Sequence, residues 1–310
     1  MSSHKEGLEI FYLTLLLFGI LGNMFLFYLQ SLKFITDHRK RVINLIIINL
    51  ALAHTLMIIF RGIPIIIDVW GWKSFLADMT GKIITYLITV TRGVSLSSTC
   101  LLSVYQAITI SPNSLMWTEI KTRAPKYIIP CSLFCWFFNI LLDVILAANV
   151  SSPKNSSKER WKIGHSSFNL HSINTIKILV LKSIIDVLFV GLMICSSGYM
   201  VFVLHRHNKQ VQHIRNITGS LRKSPETRAT KAILMLVITF VCFNSTSSRF
   251  IIYLASAEAT KHWSLRFTVV LSLFYPVVSP FMLISIDTQT HWSLHFLLSL
   301  KRFSQEKLSG

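Results

Sequence analysis

Seven blocks of about twenty or more apolar residues, each followed by a short polar stretch, constrain this chain more than any other feature. They run over residues 10–32, 42–67, 83–110, 127–148, 176–204, 232–254 and 267–286. At 1.5 Å per residue, about 20 helical residues cross the roughly 30 Å hydrocarbon core of a bilayer. Helices are required because hydrocarbon offers backbone amides no partner. The expected fold is an all-α membrane protein, a seven-transmembrane-helix bundle spanning residues 10–286. Residues 1–9 form an amino-terminal segment and residues 287–310 a short tail. The polar start followed by an apolar run too long for a cleaved leader predicts a first span retained as a signal anchor.

Composition agrees with this reading: 52% of residues are hydrophobic and 14% charged, against about 25% charged in soluble domains. The formal charge of +18 sits mostly in the loops, so it reports topology rather than a nucleic-acid footprint. Loops 33–41, 111–126 and 205–231 and the tail from 287 hold 17 Lys and Arg, and the segments on the other side hold 10. The positive-inside bias therefore places the amino terminus outside and the tail in the cytosol, where basic loops meet anionic lipid headgroups of the bilayer. Asn149-Val-Ser and Asn155-Ser-Ser are glycosylation sequons in the loop after the fourth span, on the side the charge count calls external.

The five cysteines (Cys100, Cys131, Cys135, Cys195, Cys242) all fall in apolar blocks, which predicts small core residues rather than a disulfide framework or metal site. The sequence has no phosphate-cradling glycine loop, zinc motif or nucleophile elbow, and its eleven histidines are scattered without ligand spacing. No enzyme, cofactor or bound metal is expected.

Several fragments resemble the rhodopsin-like receptor pattern, in order and each in its proper helix: Gly22-Asn23, Asn49-Leu-Ala-Leu-Ala, Trp136 and Pro280. More specific are the run from Arg92-Gly-Val-Ser to Ile-Ser-Pro112, the Ser224-Pro-Glu-Thr-Arg stretch before the sixth span, and Tyr275-Pro-Val-Val-Ser-Pro in the seventh. With these the whole chain resembles the vomeronasal type 1 (pheromone) receptor family. The resemblance implies a plasma-membrane receptor for a small-molecule, pheromone-like ligand that activates a heterotrimeric G protein of the inhibitory (Gi/Go) type. Tyr105, Arg228 and Lys231 are the residues it suggests as facing that protein.

Certain positions depart from the wider pattern. The acidic-Arg-aromatic triplet ending the third helix is Ser103-Val104-Tyr105 here, so no arginine can form the usual inner ionic lock. His54 stands at the usual sodium-binding Asp position, where a buried, hydrogen-bonded histidine is expected. Gly81 and Ser166 stand where the family commonly has the cysteines of an outer-loop disulfide, a link worth about 2–4 kcal/mol in the chain-entropy account. A bitter-taste-like receptor and a small-solute transporter are the competing readings. The short tail and second outer loop fit the first, and intramembrane charges fit the second.

Six Lys, Arg and Asp residues lie well inside the proposed spans, clear of their ends: Arg61, Arg92, Asp143, Lys182, Asp186 and Arg249. Each costs about 2.5–3.5 kcal/mol on insertion scales and normally faces the bundle interior. All six fall in the outer half, roughly 7–15 Å deep at the helical rise, which suits a ligand pocket better than a continuous proton path. Each has a second reading. Lys182 and Asp186, four apart, can pair on one helix face; Arg61 and Arg249 can snorkel to headgroups; Arg92 can hold the third helix; Asp143 can pair with an arginine. Four bases and two acids leave a formal +2, favouring a small apolar ligand with an acidic or strongly accepting group, such as a sulfated steroid or an organic acid. If the acids neutralise two bases while the others snorkel, a neutral cavity for volatile ketones or alcohols results. Phe189, Phe240, Phe243, Tyr253, Phe274 and Tyr275 are candidates for an apolar lining.

Overall fold

The structure is a computed structural model. It describes residues 2–36, 41–69, 78–112, 114–148, 150–151, 160–163, 166–169, 173–218, 233–243 and 262–287. Asn149, Asn155, Arg228, Lys231, Arg249, Tyr253 and the tail beyond residue 287 lie outside the described residues.

Seven helices are present among the described residues: α1 (Ser2–Thr36), α2 (Arg41–Val69), α3 (Asp78–Ile110), α4 (Leu115–Ala148), α5 (Ile173–Thr218), α6 (Ile233–Phe243) and α7 (His262–Asp287). Five are long and apolar enough to cross a membrane, with α6 and the 270–284 stretch of α7 as shorter apolar helices. The seven-span expectation holds, but several helices outrun their apolar blocks. The 46 residues of α5 reach about 69 Å at the helical rise, well beyond the hydrocarbon thickness. A helix is ended by its capping and breaking residues, not by the water boundary, so hydropathy marks the span and not the helix. α4 begins at Leu115 and runs through Pro125 and Pro130, where the sequence suggested a loop to residue 126.

The bundle is not wholly α. Between α4 and α5, β1 (Val150–Ser151), β2 (Arg160–Ile163) and β3 (Ser166–Asn169) form an antiparallel sheet in the order β1-β3-β2. Phe168 pairs with both Val150 and Trp161, and β1 and β3 lie against α3. Ser166 opens β3 and Gly81 lies in α3, so the two positions belong to elements that touch.

The principal core joins Leu26 of α1, Leu50 of α2, Leu96 and Leu102 of α3, Met193 of α5, Leu236 and Phe240 of α6, and Tyr275 and Leu283 of α7. Cys100 is buried, but Cys131, Cys195 and Cys242 are exposed and Cys135 is intermediate. The expectation of five core cysteines is corrected accordingly. On a membrane bundle the outer surface is as apolar as the interior, so an apolar block says nothing about which way a cysteine faces.

Two prolines explain how α1 joins α7. Pro280 has no N–H to give the carbonyl of Pro276, four residues back. That carbonyl instead accepts a 2.8 Å bond from Asn23 Nδ2, which also reaches the Gly19 carbonyl at 2.8 Å. Small residues on α1 permit the approach. A Cβ on Gly19 would lie 2.7 Å from Val277 Cγ2 and 2.9 Å from Ile58 Cδ1, whereas at Gly191 of α5 nothing lies within 4 Å. Gly19→Val is therefore expected to destabilise the detergent-solubilised protein by about 1–3 kcal/mol through overpacking. Gly191→Val should stay within about 0.5 kcal/mol, and a fluorescence thermal-shift series compares the two.

Candidate functional site

In the half of the bundle that carries the sheet, a cavity of about 40 Å³ opens between α2, α3, α6 and α7. Met57 and Arg61 of α2, Arg92 and Ser95 of α3, Phe240 and Phe243 of α6, and Leu271, Ser272, Tyr275 and Pro276 of α7 line it. Helical spacing puts them there. Met57 and Arg61 are i, i+4, Arg92 and Ser95 are i, i+3, and the α7 residues recur at i, i+1, i+4 and i+5. Small-molecule sites usually enclose about 300–1,000 Å³, so a ligand of ordinary size must widen the cavity formed by these residues.

Apolar groups make most of the wall. Phe243 stacks on Phe274 at 4.3 Å between centroids, and Phe240 meets Tyr275 edge to face at 4.8 Å. Of the aromatic candidates, Phe240, Phe243 and Tyr275 reach the cavity. Phe274 backs Phe243 from outside, and Phe189 packs on the principal core.

The charged residues divide into two groups. Asp143 of α4, fully buried, accepts a hydrogen bond from Lys182 of α5. Arg92 of α3 lies 3.3 Å from Asp186 of α5, each about a quarter to a third exposed. Lys182 and Asp186 are thus not a pair on one face: each reaches to a different neighbouring helix, and Asp143 pairs with a lysine rather than an arginine. With α5 contributing one acid and one base, both carboxylates are engaged. Arg61 is different. It lines the cavity beside Arg92, and its Nε is buried with no hydrogen-bond acceptor among the described residues.

Beneath the cavity, a polar network ties three helices. His54 is buried, as expected, with Nε2 2.8 Å from Ser95 Oγ and Nδ1 2.8 Å from Ser279 Oγ. A neutral imidazole offers one donor and one acceptor, and each has a hydroxyl partner on a different helix. Tyr275 lies edge-on to the His54 ring at 5.1 Å, and its hydroxyl is 2.9 Å from Thr99 Oγ1. The sequence reading missed Met57, Ser95, Leu271, Ser272 and Pro276 as lining residues. Their spacing from Arg61, Arg92 and Tyr275 was the available signal, but it becomes informative only once the helix rotations are known. Tyr105 is partly buried against the principal core at the end of the bundle opposite the sheet.

A seven-helix membrane bundle with a cavity between its helices has the architecture of a rhodopsin-like receptor. The fold matches the crystal structure of squid rhodopsin with a TM-score of 0.68, covering 93% of this chain and 81% of that one at 15% identity. Residues 8–294 match the family described as the vomeronasal organ pheromone receptor family. Human vomeronasal type-1 receptor 3 is 37% identical over 293 residues, 92% of each chain. The zebrafish (Danio rerio) olfactory receptor class A-like protein 1 is 30% identical over 271 residues, 86% of this chain and 85% of that one. The chain belongs to the vomeronasal type-1 receptor family. It is a multi-pass membrane protein and a chemosensory, G-protein-coupled receptor, a signalling protein rather than an enzyme.

Breaking a buried ion pair by removing one partner costs about 3–5 kcal/mol, because a charge is left uncompensated. Asp143→Ala is expected to cut surface expression severely, and adding Lys182→Ala should restore part of it. Asp186→Ala, at the wetter pair, should lose less. Flow cytometry of an epitope-tagged receptor ranks the four forms.

Proposed function

We propose that the receptor binds a small, mainly apolar molecule carrying an acidic or strongly accepting group, such as an organic acid or a sulfated steroid, in the cavity between α2, α3, α6 and α7. The proposed response is activation of an inhibitory (Gi/Go) G protein. The observation that carries the ligand half is Arg61: a cation in a largely apolar cavity, its Nε buried without an acceptor among the described residues. Such a group gains far more from an anion than a surface arginine does, since the local dielectric is low and the desolvation cost is already met by the fold. Arg92 stands beside it but is already balanced by Asp186, so it contributes second. Arg249, outside the described residues, keeps its place as a candidate on the sequence alone.

The coupling half rests on family membership and on the basic stretch over residues 205–231, which supplies seven Lys and Arg; its first part, expected as loop, is the end of α5, which carries Arg206, Lys209 and Arg215. Tyr105, Arg228 and Lys231 are the proposed contacts or gates for the partner's helix, which would enter a groove opened at the end opposite the sheet. In membranes from cells expressing the receptor, an agonist found among matched alkyl sulfates, carboxylates, ketones and alcohols should drive nucleotide exchange on Gi/Go. Arg61→Gln should weaken anionic agonists roughly ten- to hundredfold, the size of one charge-assisted hydrogen bond. Neutral agonists should be unaffected. Equal loss for all agonists would make Arg61 a scaffold residue, and no exchange on that G-protein class would end the coupling claim.

The orientation belongs to the same proposal: amino terminus outside, tail inside, with glycans on Asn149 and Asn155. A glycosidase-sensitive gel shift is expected for the wild type and lost in the Asn149→Gln, Asn155→Gln double variant. Its persistence there would place the glycans elsewhere.

A further inference from the structure

Ser95 of α3 and Tyr275 of α7 both line the cavity, and the proton of each hydroxyl is committed to a group beneath it. The Ser95 hydroxyl has one hydrogen-bond partner among the described residues, His54 Nε2 at 2.8 Å, and the other ring nitrogen, Nδ1, lies 2.8 Å from Ser279 Oγ. A neutral imidazole carries one N–H and one lone pair. With the proton on Nε2, Ser95 would accept it, and its own proton would have no acceptor among the described residues. With the proton on Nδ1, every donor is satisfied: Ser95 donates to Nε2, Nδ1 donates to Ser279 Oγ, and the Ser279 hydroxyl has the Pro276 carbonyl at 3.4 Å. A buried donor left without an acceptor is costly, so the second arrangement is the stable one.

Tyr275 is fixed in the same sense by a different bond. Its hydroxyl is 2.9 Å from Thr99 Oγ1, and Thr99 spends its single proton on the Ser95 backbone carbonyl, at 2.8 Å. Tyr275 is therefore the donor to Thr99. Both lining hydroxyls keep only oxygen lone pairs for whatever enters the cavity. Arg92 precedes Ser95 by three residues, about 4.5 Å nearer the amino-terminal end of α3, and Arg61 lines the cavity beside it. The polar groups are thus sorted by kind, with guanidinium donors in one part and neutral acceptors in another. An ammonium group suits those acceptors poorly, because no carboxylate lines the cavity among the described residues and its desolvation would go uncompensated.

We propose that the ligand is bifunctional: besides the acidic group at Arg61, it carries a hydroxyl that donates to Ser95 and Tyr275. His54 and Thr99 stand behind those two residues as positioning residues, and they set the preference by holding the two hydroxyl protons. Hydroxylated carboxylates and sulfates fit this arrangement, whereas the matching ketones would set an acceptor against an acceptor. The proposal rests on the ligand reading above for the acidic end of the molecule only.

The test uses purified full-length receptor in detergent and decanoic acids carrying a hydroxyl at successive chain carbons, each paired with the ketone at the same carbon. Apparent affinity is read from the ligand-dependent rise in Tm, which needs no G protein. At the favoured carbon the hydroxy acid is expected to bind about two- to tenfold more tightly than its ketone, the span of one net hydrogen bond. His54→Leu frees the Ser95 proton and Thr99→Val frees the Tyr275 proton, and neither residue lines the cavity. In each variant the hydroxyl-to-ketone ratio should fall to about one or below, because the released hydroxyl can now donate to the ketone. Thr99→Val keeps the side-chain shape, so it carries the test should His54→Leu not fold. Ketones binding as well as hydroxy acids at every carbon, a ratio unchanged in every variant that folds, or no binding by any member of the series would overturn the proposal. Arg61→Gln should weaken hydroxy and keto acids alike and leave the ratio intact. No loss of affinity there, with the ratio preserved, would leave the hydroxyl preference standing and count against the anionic reading instead.

Discussion

Desolvated polar side chains need partners, and in this bundle five of the interhelical pairs are made on α3 or at its end. Lipid tails are as apolar as leucine, so burying apolar side chains gives little net pull between helices in a bilayer. The arrangement is selected by packing and by where polar groups can be satisfied. Ser95 meets His54, Ser98 meets Asn49, Thr99 meets Tyr275, Arg92 meets Asp186 and Ser111 meets Tyr199. α2, α5 and α7 are each tied to α3 by at least one such bond. α4 joins the same system through Trp136, whose Nε1 donates to Asn49 Oδ1 at 2.6 Å. Each bond contributes only about half a kcal/mol on average. Any other rotation of α3 would leave several of these groups unpaired in hydrocarbon, and that larger penalty fixes the arrangement.

The cavity is an extension of this polar system. Ser95 and Tyr275 belong to both: each lines the cavity, and each bonds a residue beneath it. Tyr275 also carries Phe240 of α6 on its ring edge. A displacement of the cavity wall is therefore felt at an α3–α7 hydrogen bond and at an α6–α7 ring contact together. The receptor does this with Ser103-Val104-Tyr105 where its wider relatives have an acidic-Arg-aromatic triplet. Ser103 is fully buried and turns its hydroxyl back to the Thr99 carbonyl at 3.0 Å, so it is spent on its own helix.

The seven helices and their order were legible because hydropathy over about twenty residues is a strong signal. The motif fragments were legible as a family pattern, and the structure supplies their physical reason. Asn23 answers the carbonyl freed by Pro280, and Asn49 joins Ser98 to Trp136. Membership of the vomeronasal family set aside the bitter-taste and transporter alternatives, and for that the run around Arg92 was sufficient. The pairing of charges was not legible. Lys182 and Asp186 satisfy the i, i+4 rule, but the rule knows only one helix, and the better partners lie on α4 and α3. The sheet was missed because strands of two to four residues leave almost no periodic trace. The cysteines were misplaced because hydropathy cannot separate the inside of a membrane bundle from its lipid-facing side.

The bond from Asn23 to the Pro276 carbonyl joins residues 253 apart in sequence, and it sets a schedule for biosynthesis. Asn23 enters the membrane with the first span, while its acceptor belongs to the last. At about 5–20 residues per second of translation, the first helix waits roughly 10–50 s for the partner that satisfies it. During that interval the Asn23 amide keeps the Gly19 carbonyl of its own helix, and its bond to the last helix can form only once α7 has been made.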